Sequence, residues 1–77
     1  MKLPILSAKE IIKVLERAGF KVVRRKGSHI SLYKKSGDKM YLVVVPDKKE
    51  VKRGTLMSIL KQAGMTRERF FELLKQR

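Results

Sequence analysis

The hydrophobic residues of this chain change their spacing twice, near Phe20 and again after Pro46, and those two switches constrain the fold more than any single motif. Ala8, Ile11, Ile12, Leu15 and Ala18 recur at helical spacing, while Lys9, Lys13, Glu16 and Arg17 fall largely outside that stripe. The pattern is that of an amphipathic helix with one buried face. Ser7 followed by Glu10 fits a capping box, and Leu6 with Ile11 fits a hydrophobic staple across the same helix start. Gly19 is a natural stop.

From Phe20 the period shortens. "FKVVRRK", "HISLYKK" and "KMYLVVV" are β-rich runs divided by "GS" at 27 and 28 and by "SGD" at 36 to 38, which predicts a three-stranded antiparallel meander. After Pro46 and "DKKE", a second helical stripe runs through Leu56, Ile59, Leu60 and Ala63 to Gly64. Thr66 caps a short last helix, with Met65 and Phe70 as its staple and Phe70, Leu73 and Leu74 as its apolar face. The order is α-β-β-β-α-α. A sheet covered by helices on one face buries these stripes most economically, so the expected class is α+β, a two-layer sandwich.

With 77 residues and no repeat, linker or low-complexity block, residues 1–77 are expected to form one domain. So small a core leaves little room for a buried cofactor site, and a surface site with no cofactor is the expectation. Twenty Lys and Arg against seven Asp and Glu give a net charge of +13, spread from Lys2 to Arg77. A body charged in this way attracts polyanions. The longest apolar run, Met40 to Val45, is far short of the ~20 residues of a spanning helix. Without cysteine there are no disulfides, thiolate metal sites or Cys nucleophiles. No signal-peptide-like stretch opens the chain, so a cytoplasmic protein without membrane attachment is expected.

The one histidine, His29, follows Arg24, Arg25, Lys26 and the pair Gly27–Ser28. If Ile30 and Leu32 face the helices, strand alternation turns His29, Ser31 and Tyr33 to the other side. Gly27 lets the backbone approach a ligand, and amides around Gly27 and Ser28 can donate to a phosphate oxygen. On RNA, a base here would take the proton of a 2′-hydroxyl that attacks the adjacent phosphorus, while Lys or Arg stabilises the added charge. An imidazole ordinarily titrates near neutral pH, and neighbouring cations favour its proton-accepting form. The seven acids are scattered, so a two-metal route has no visible ligand cluster. The opposing interpretation is an isolated, solvated strand histidine with no role.

A second basic stretch, "DKKEVKRGTL" at 47 to 56, precedes the second helix, whose N-terminus would present free amides beside Lys48, Lys49, Lys52 and Arg53. Its alternative is a solvated Lys-rich loop. Tyr33 and Tyr41 are candidates for base stacking or plain sheet-surface residues.

"SAKEIIKVLERAGFKVVRRKGSHISLYKKSGDKMYLVVVP" followed by "KKEVKRGTLMSILKQAGMTRERFFELL" resembles the HicA family of small toxin ribonucleases over nearly the whole chain. "AGF" ending the first helix, "GSH" at the turn, "GTLMSILKQAG" in the second helix and a final "F..LL" helix follow the family's order and spacing. The resemblance implies a fold like that of double-stranded-RNA-binding domains, metal-independent mRNA cleavage, inhibition by a HicB-type antitoxin, and His29 as the catalytic residue with Gly27 beside it. Arg53 stands where the family often has proline, which should loosen the helix start and add a phosphate contact.

The resulting expectation is a toxin endoribonuclease with His29 as general base. Gly27, Ser28, Lys26 and Arg25 bind the phosphate, Lys52 and Arg53 lie along the substrate backbone, and no metal takes part. A non-catalytic RNA-binding module and a domain whose charge answers an acidic protein are the alternatives. "KMYLVVV" adds a conflict, being an edge strand with Met40, Leu42 and Val44 on one face and Tyr41, Val43 and Val45 on the other. Such an edge invites aggregation, so either the chain pairs with itself or an antitoxin covers it. For that antitoxin, apolar contacts near Val43 and Val45 are expected.

Overall fold

The computed structural model describes residues 3–75; Lys2 and Arg77, the ends of the basic distribution, lie outside them. The elements are α1 (Ala8–Arg17), β1 (Lys21–Lys26), β2 (His29–Ser36), β3 (Lys39–Pro46), α2 (Arg53–Ala63) and α3 (Arg67–Lys75). The strands form one antiparallel sheet in the order β1-β2-β3. Together with the helices they make an α+β two-layer sandwich, as the periodicity predicts. Among the described residues no helix is long and apolar enough to cross a membrane.

The local signals act where they stand. Ser7 Oγ accepts from the Glu10 amide at 3.2 Å and Glu10 Oε1 accepts from the Ser7 amide at 3.0 Å, closing the capping box of α1. Gly64 ends α2 at φ +64°, and Thr66 Oγ1 accepts from the Arg69 amide at 3.1 Å to start α3. Both hairpins turn on two residues, Gly27–Ser28 and Gly37–Asp38, with φ +57° and +60° at the glycines. Glycine at the first turn position matches the hairpin turn that follows the right-handed twist of the strands.

One apolar cluster lies between the sheet and the helices. It takes Ile11, Val14 and Leu15 from α1, Ile30 and Leu32 from β2, Val43 and Val45 from β3, Leu56 and Ile59 from α2, and Phe70 and Leu73 from α3. Burying each of these larger side chains stabilises the fold by about 1.5–3 kcal/mol. No polar or charged side chain is buried among the described residues. Val14 joins the core beyond the predicted stripe, and Ala18 is only half-buried.

The expectation for β3 is corrected here. Val43 and Val45 are 0% exposed, whereas Met40, Leu42 and Val44 are 69%, 58% and 37% exposed. The physical reason is register: the Gly37–Asp38 turn sets Leu32 opposite Val43 and Ile30 opposite Val45, and cross-strand partners share a face. Since Ile30 and Leu32 face the helices, Val43 and Val45 must too. They are core residues, unavailable to a protein partner. The backbone N–H of Val44 points out of the sheet and donates to Gln62 Oε1 of α2 at 3.1 Å.

β1, the opposite edge, is almost wholly exposed and carries Lys21, Arg24, Arg25 and Lys26. A shift of register between Val22 and Arg24 leaves Val23 unpaired as a bulge. Charge and bulge together disfavour strand addition at that edge.

Candidate nucleic-acid interface and active site

The corner at Gly27–Ser28 is held from outside the hairpin. The Asp47 amide donates to the Ser28 carbonyl at 2.7 Å, the Ala8 amide to the Lys48 carbonyl at 2.9 Å, and the Val51 amide to the Leu6 carbonyl at 2.7 Å. The segment after β3 is therefore strapped first to the turn, then to the start of α1, before it enters α2. This strapping gathers the two basic stretches, distant in sequence, at one end of the molecule. A Cβ on Gly27 would meet nothing within 4 Å. It is the positive φ that calls for glycine there.

His29 opens β2, is exposed, and pairs with Lys26 on one side and Pro46 on the other. Alternation with buried Ile30 and Leu32 sets it on the open face of the sheet, as predicted, together with Ser31 and Tyr33. Lys26, its cross-strand partner, shares that face. Arg25 pairs with Ile30 and so points to the helix side. The strand thus separates two side chains that the sequence reading grouped as one phosphate clamp.

Arg25 has other company. It lines a groove of roughly 380 Å³ with Lys9 and Lys13 of α1 and with Asp47, over a floor of Ile12 and Ile30, with Glu16 at one margin. A neighbouring depression is lined by Ser7, Lys9, Asp47, Lys48 and Lys49. The two share Lys9 and Asp47, so Lys13, Lys9, Arg25, Lys48 and Lys49 form a continuous cationic track around one carboxylate. The sequence reading counted Lys9 and Lys13 only as residues off the apolar stripe. Their four-residue spacing, which stacks them on one helix face, was the available signal. The largest cavity, about 650 Å³ between α2 and α3, is lined by Met57, Leu60 and Met65 among others and holds none of the predicted site residues.

Lys52 is the N-cap of α2 and makes no side-chain capping bond. The first amide bonded back along the chain is that of Leu56, to the Lys52 carbonyl at 2.9 Å, so the amides of Arg53, Gly54 and Thr55 precede the helical ladder. Arg53 Nε donates to the Leu3 carbonyl at 2.6 Å. Its guanidinium is thus partly committed to holding the segment before α1, and the helix still begins at Arg53.

Tyr33 is half-buried on the open face. Tyr41 packs on the core instead, with its ring centroid 6.5 Å from that of Phe20, which gives it a structural place. Among the described residues the one ion pair is Arg69–Glu72 on α3, at 4.0 Å, so the cations around the turn are not neutralised by salt bridges. No three His, Asp or Glu side chains among the described residues gather as a metal site.

Comparison with protein families gives one finding: the model described as HicA toxin of bacterial toxin-antitoxin matches residues 8–65. The match runs from the first residue of α1 past the end of α2, across the Gly27–Ser28 corner and both basic stretches. Comparison with curated proteins found no match.

Proposed function

The chain belongs to the HicA toxin family of bacterial toxin-antitoxin systems, a family of ribonucleases, and from that premise we propose that it cleaves mRNA without a metal ion, with His29 as general base. The imidazole removes the proton of a 2′-hydroxyl, the oxygen attacks the adjacent phosphorus, and the bond to the 5′ oxygen breaks. Water, which reaches this exposed face, protonates the departing oxygen. The products are a 2′,3′-cyclic phosphate and a 5′-hydroxyl. Lys26, beside His29 on the same face, offsets the charge that builds on the phosphate, and the amides of Gly27 and Ser28 donate to its oxygens. Arg25, Lys52 and Arg53 hold the RNA backbone to either side. Residues 1–77 act as one domain, and a HicB-type antitoxin silences it.

The observation that carries this proposal is the strapping of the Gly27–Ser28 corner by the Asp47 amide at 2.7 Å, which fixes exposed donors and a single imidazole within one basic end. The second reading, a non-catalytic RNA-binding module, is favoured by a different observation. Among the described residues no hydrogen-bond partner orients the His29 side chain, although a catalytic imidazole is usually fixed by one. Incubating the purified chain with end-labelled single-stranded RNA in EDTA separates the two. Cleavage leaving cyclic-phosphate ends supports the ribonuclease; retention of intact RNA supports the module; neither outcome would leave the charge to an acidic protein.

A further inference from the structure

Helices cover only one face of the sheet. On the other, Met40, Leu42 and Val44 stand in a row along β3, with 69%, 58% and 37% of their surface exposed. Residues two apart on a strand lie about 7 Å from each other, so the row is about 13 Å long. Across it, by register, stand Lys35, Tyr33 and Ser31 of β2. Beyond them β1 contributes Lys21, Arg24 and Lys26 through the pairs Lys21–Tyr33, Arg24–Ser31 and Lys26–His29. The face is therefore an apolar margin, a mixed middle and a cationic margin, with no carboxylate at any of these positions.

That composition selects among occupants. RNA offers phosphates to the cations but no aliphatic surface for Met40, Leu42 and Val44. A second copy of this chain, at net charge +13, would bring the same lysines and arginines against a like-charged body. A protein with an apolar strip flanked by carboxylates answers both margins at once. We propose that the open face of the sheet is the docking surface of the antitoxin, which places apolar side chains over Leu42 and carboxylates opposite Arg24 and Lys35; this rests on the toxin reading above. His29 lies on the same face, paired with Pro46, two positions beyond Val44 along β3. A protein seated on the row therefore extends over the imidazole and inhibits by covering it, with no distortion of the fold.

The test uses the full chain and its purified cognate antitoxin, with affinity measured by titration and RNA cleavage by the free chain measured separately. Leu42→Lys removes an exposed contact and sets a charge in the apolar strip, so it should weaken antitoxin affinity on the order of 100-fold while cleavage by the free chain stays at the wild-type rate. Met57→Lys, at an apolar side chain 44% exposed at the α2–α3 cavity, should leave antitoxin affinity unchanged. Leu42→Ser runs alongside, so that misfolding of the lysine variant leaves a test in place. Wild-type antitoxin affinity in folded Leu42 variants would overturn the proposal. So would a Leu42 variant that lowers self-association or RNA affinity but not antitoxin affinity. Failure of the wild-type chain to cleave RNA would fell the ribonuclease reading alone, since the affinity measurement still decides the surface.

Discussion

The Asp47 amide donates to the Ser28 carbonyl at 2.7 Å, so the loop after β3 fixes the turn that leads into His29. The same residue's carboxylate lines both cationic grooves, where it opposes a phosphate chain. Asp47→Asn keeps the amide and removes the charge. RNA affinity should rise about two- to fivefold at low salt, with the cleavage rate at saturating RNA unchanged. Fluorescence anisotropy with labelled RNA reads the first quantity; an unchanged affinity would put the grooves off the RNA path.

His29 is exposed and packs against no buried neighbour in the core cluster. His29→Ala should therefore shift stability by no more than about 0.5 kcal/mol. The single-turnover cleavage rate should fall by about 10²–10⁴-fold, the usual contribution of a general base. Thermal unfolding and a single-turnover assay on the same preparation give both numbers. A variant as fast as wild type removes the imidazole from the chemistry.

Salt should act in opposite directions on binding and on folding. RNA affinity falls with added salt, because each phosphate contact releases counterions. The free protein, at +13 with a single ion pair among the described residues, gains stability as like charges are screened. Anisotropy and thermal melts across a sodium chloride series check the two slopes. Parallel slopes would contradict a surface whose cations stand unpaired.

Gly64 combines two constraints. Its φ of +64° is one that side chains rarely adopt, and a Cβ there would lie 2.7 Å from Cε1 of Tyr41. Gly64→Ala should cost about 1–3 kcal/mol, measured by denaturant unfolding. Pairing it with Tyr41→Ala should recover the steric part and leave the backbone part. Full additivity of the two substitutions would mean that the rings and the helix end do not press on each other.

The elements were legible because their signals are local. Ser7 and Glu10, Thr66, Gly64 and the two turn glycines each act within a few residues of where they stand in the chain. His29 on the open face was equally legible, since Ile30 and Leu32 leave it no other side. What alternation could not decide was which apolar row of β3 the helices cover, because Met40, Leu42 and Val44 read much like Tyr41, Val43 and Val45. Counting pairs through the Gly37–Asp38 turn from Leu32 to Val43 resolves it, but that count needs the turn's length as well as its place. The joining of Lys9 and Lys13 with Arg25 needed the packing of α1 over β1 and β2, which no periodicity within either segment encodes.

The hydrogen bond from the Val44 amide to Gln62 bears on how the sheet could grow. Along the outer side of β3, Val44 has spent its donor on α2 and Pro46 has none to give, which leaves Met40 and Leu42. A foreign strand could therefore grip only the half of β3 remote from His29, too short a template for a ladder to propagate from molecule to molecule. An open face that stays adhesive for one protein is in this way joined to a border that resists polymerisation.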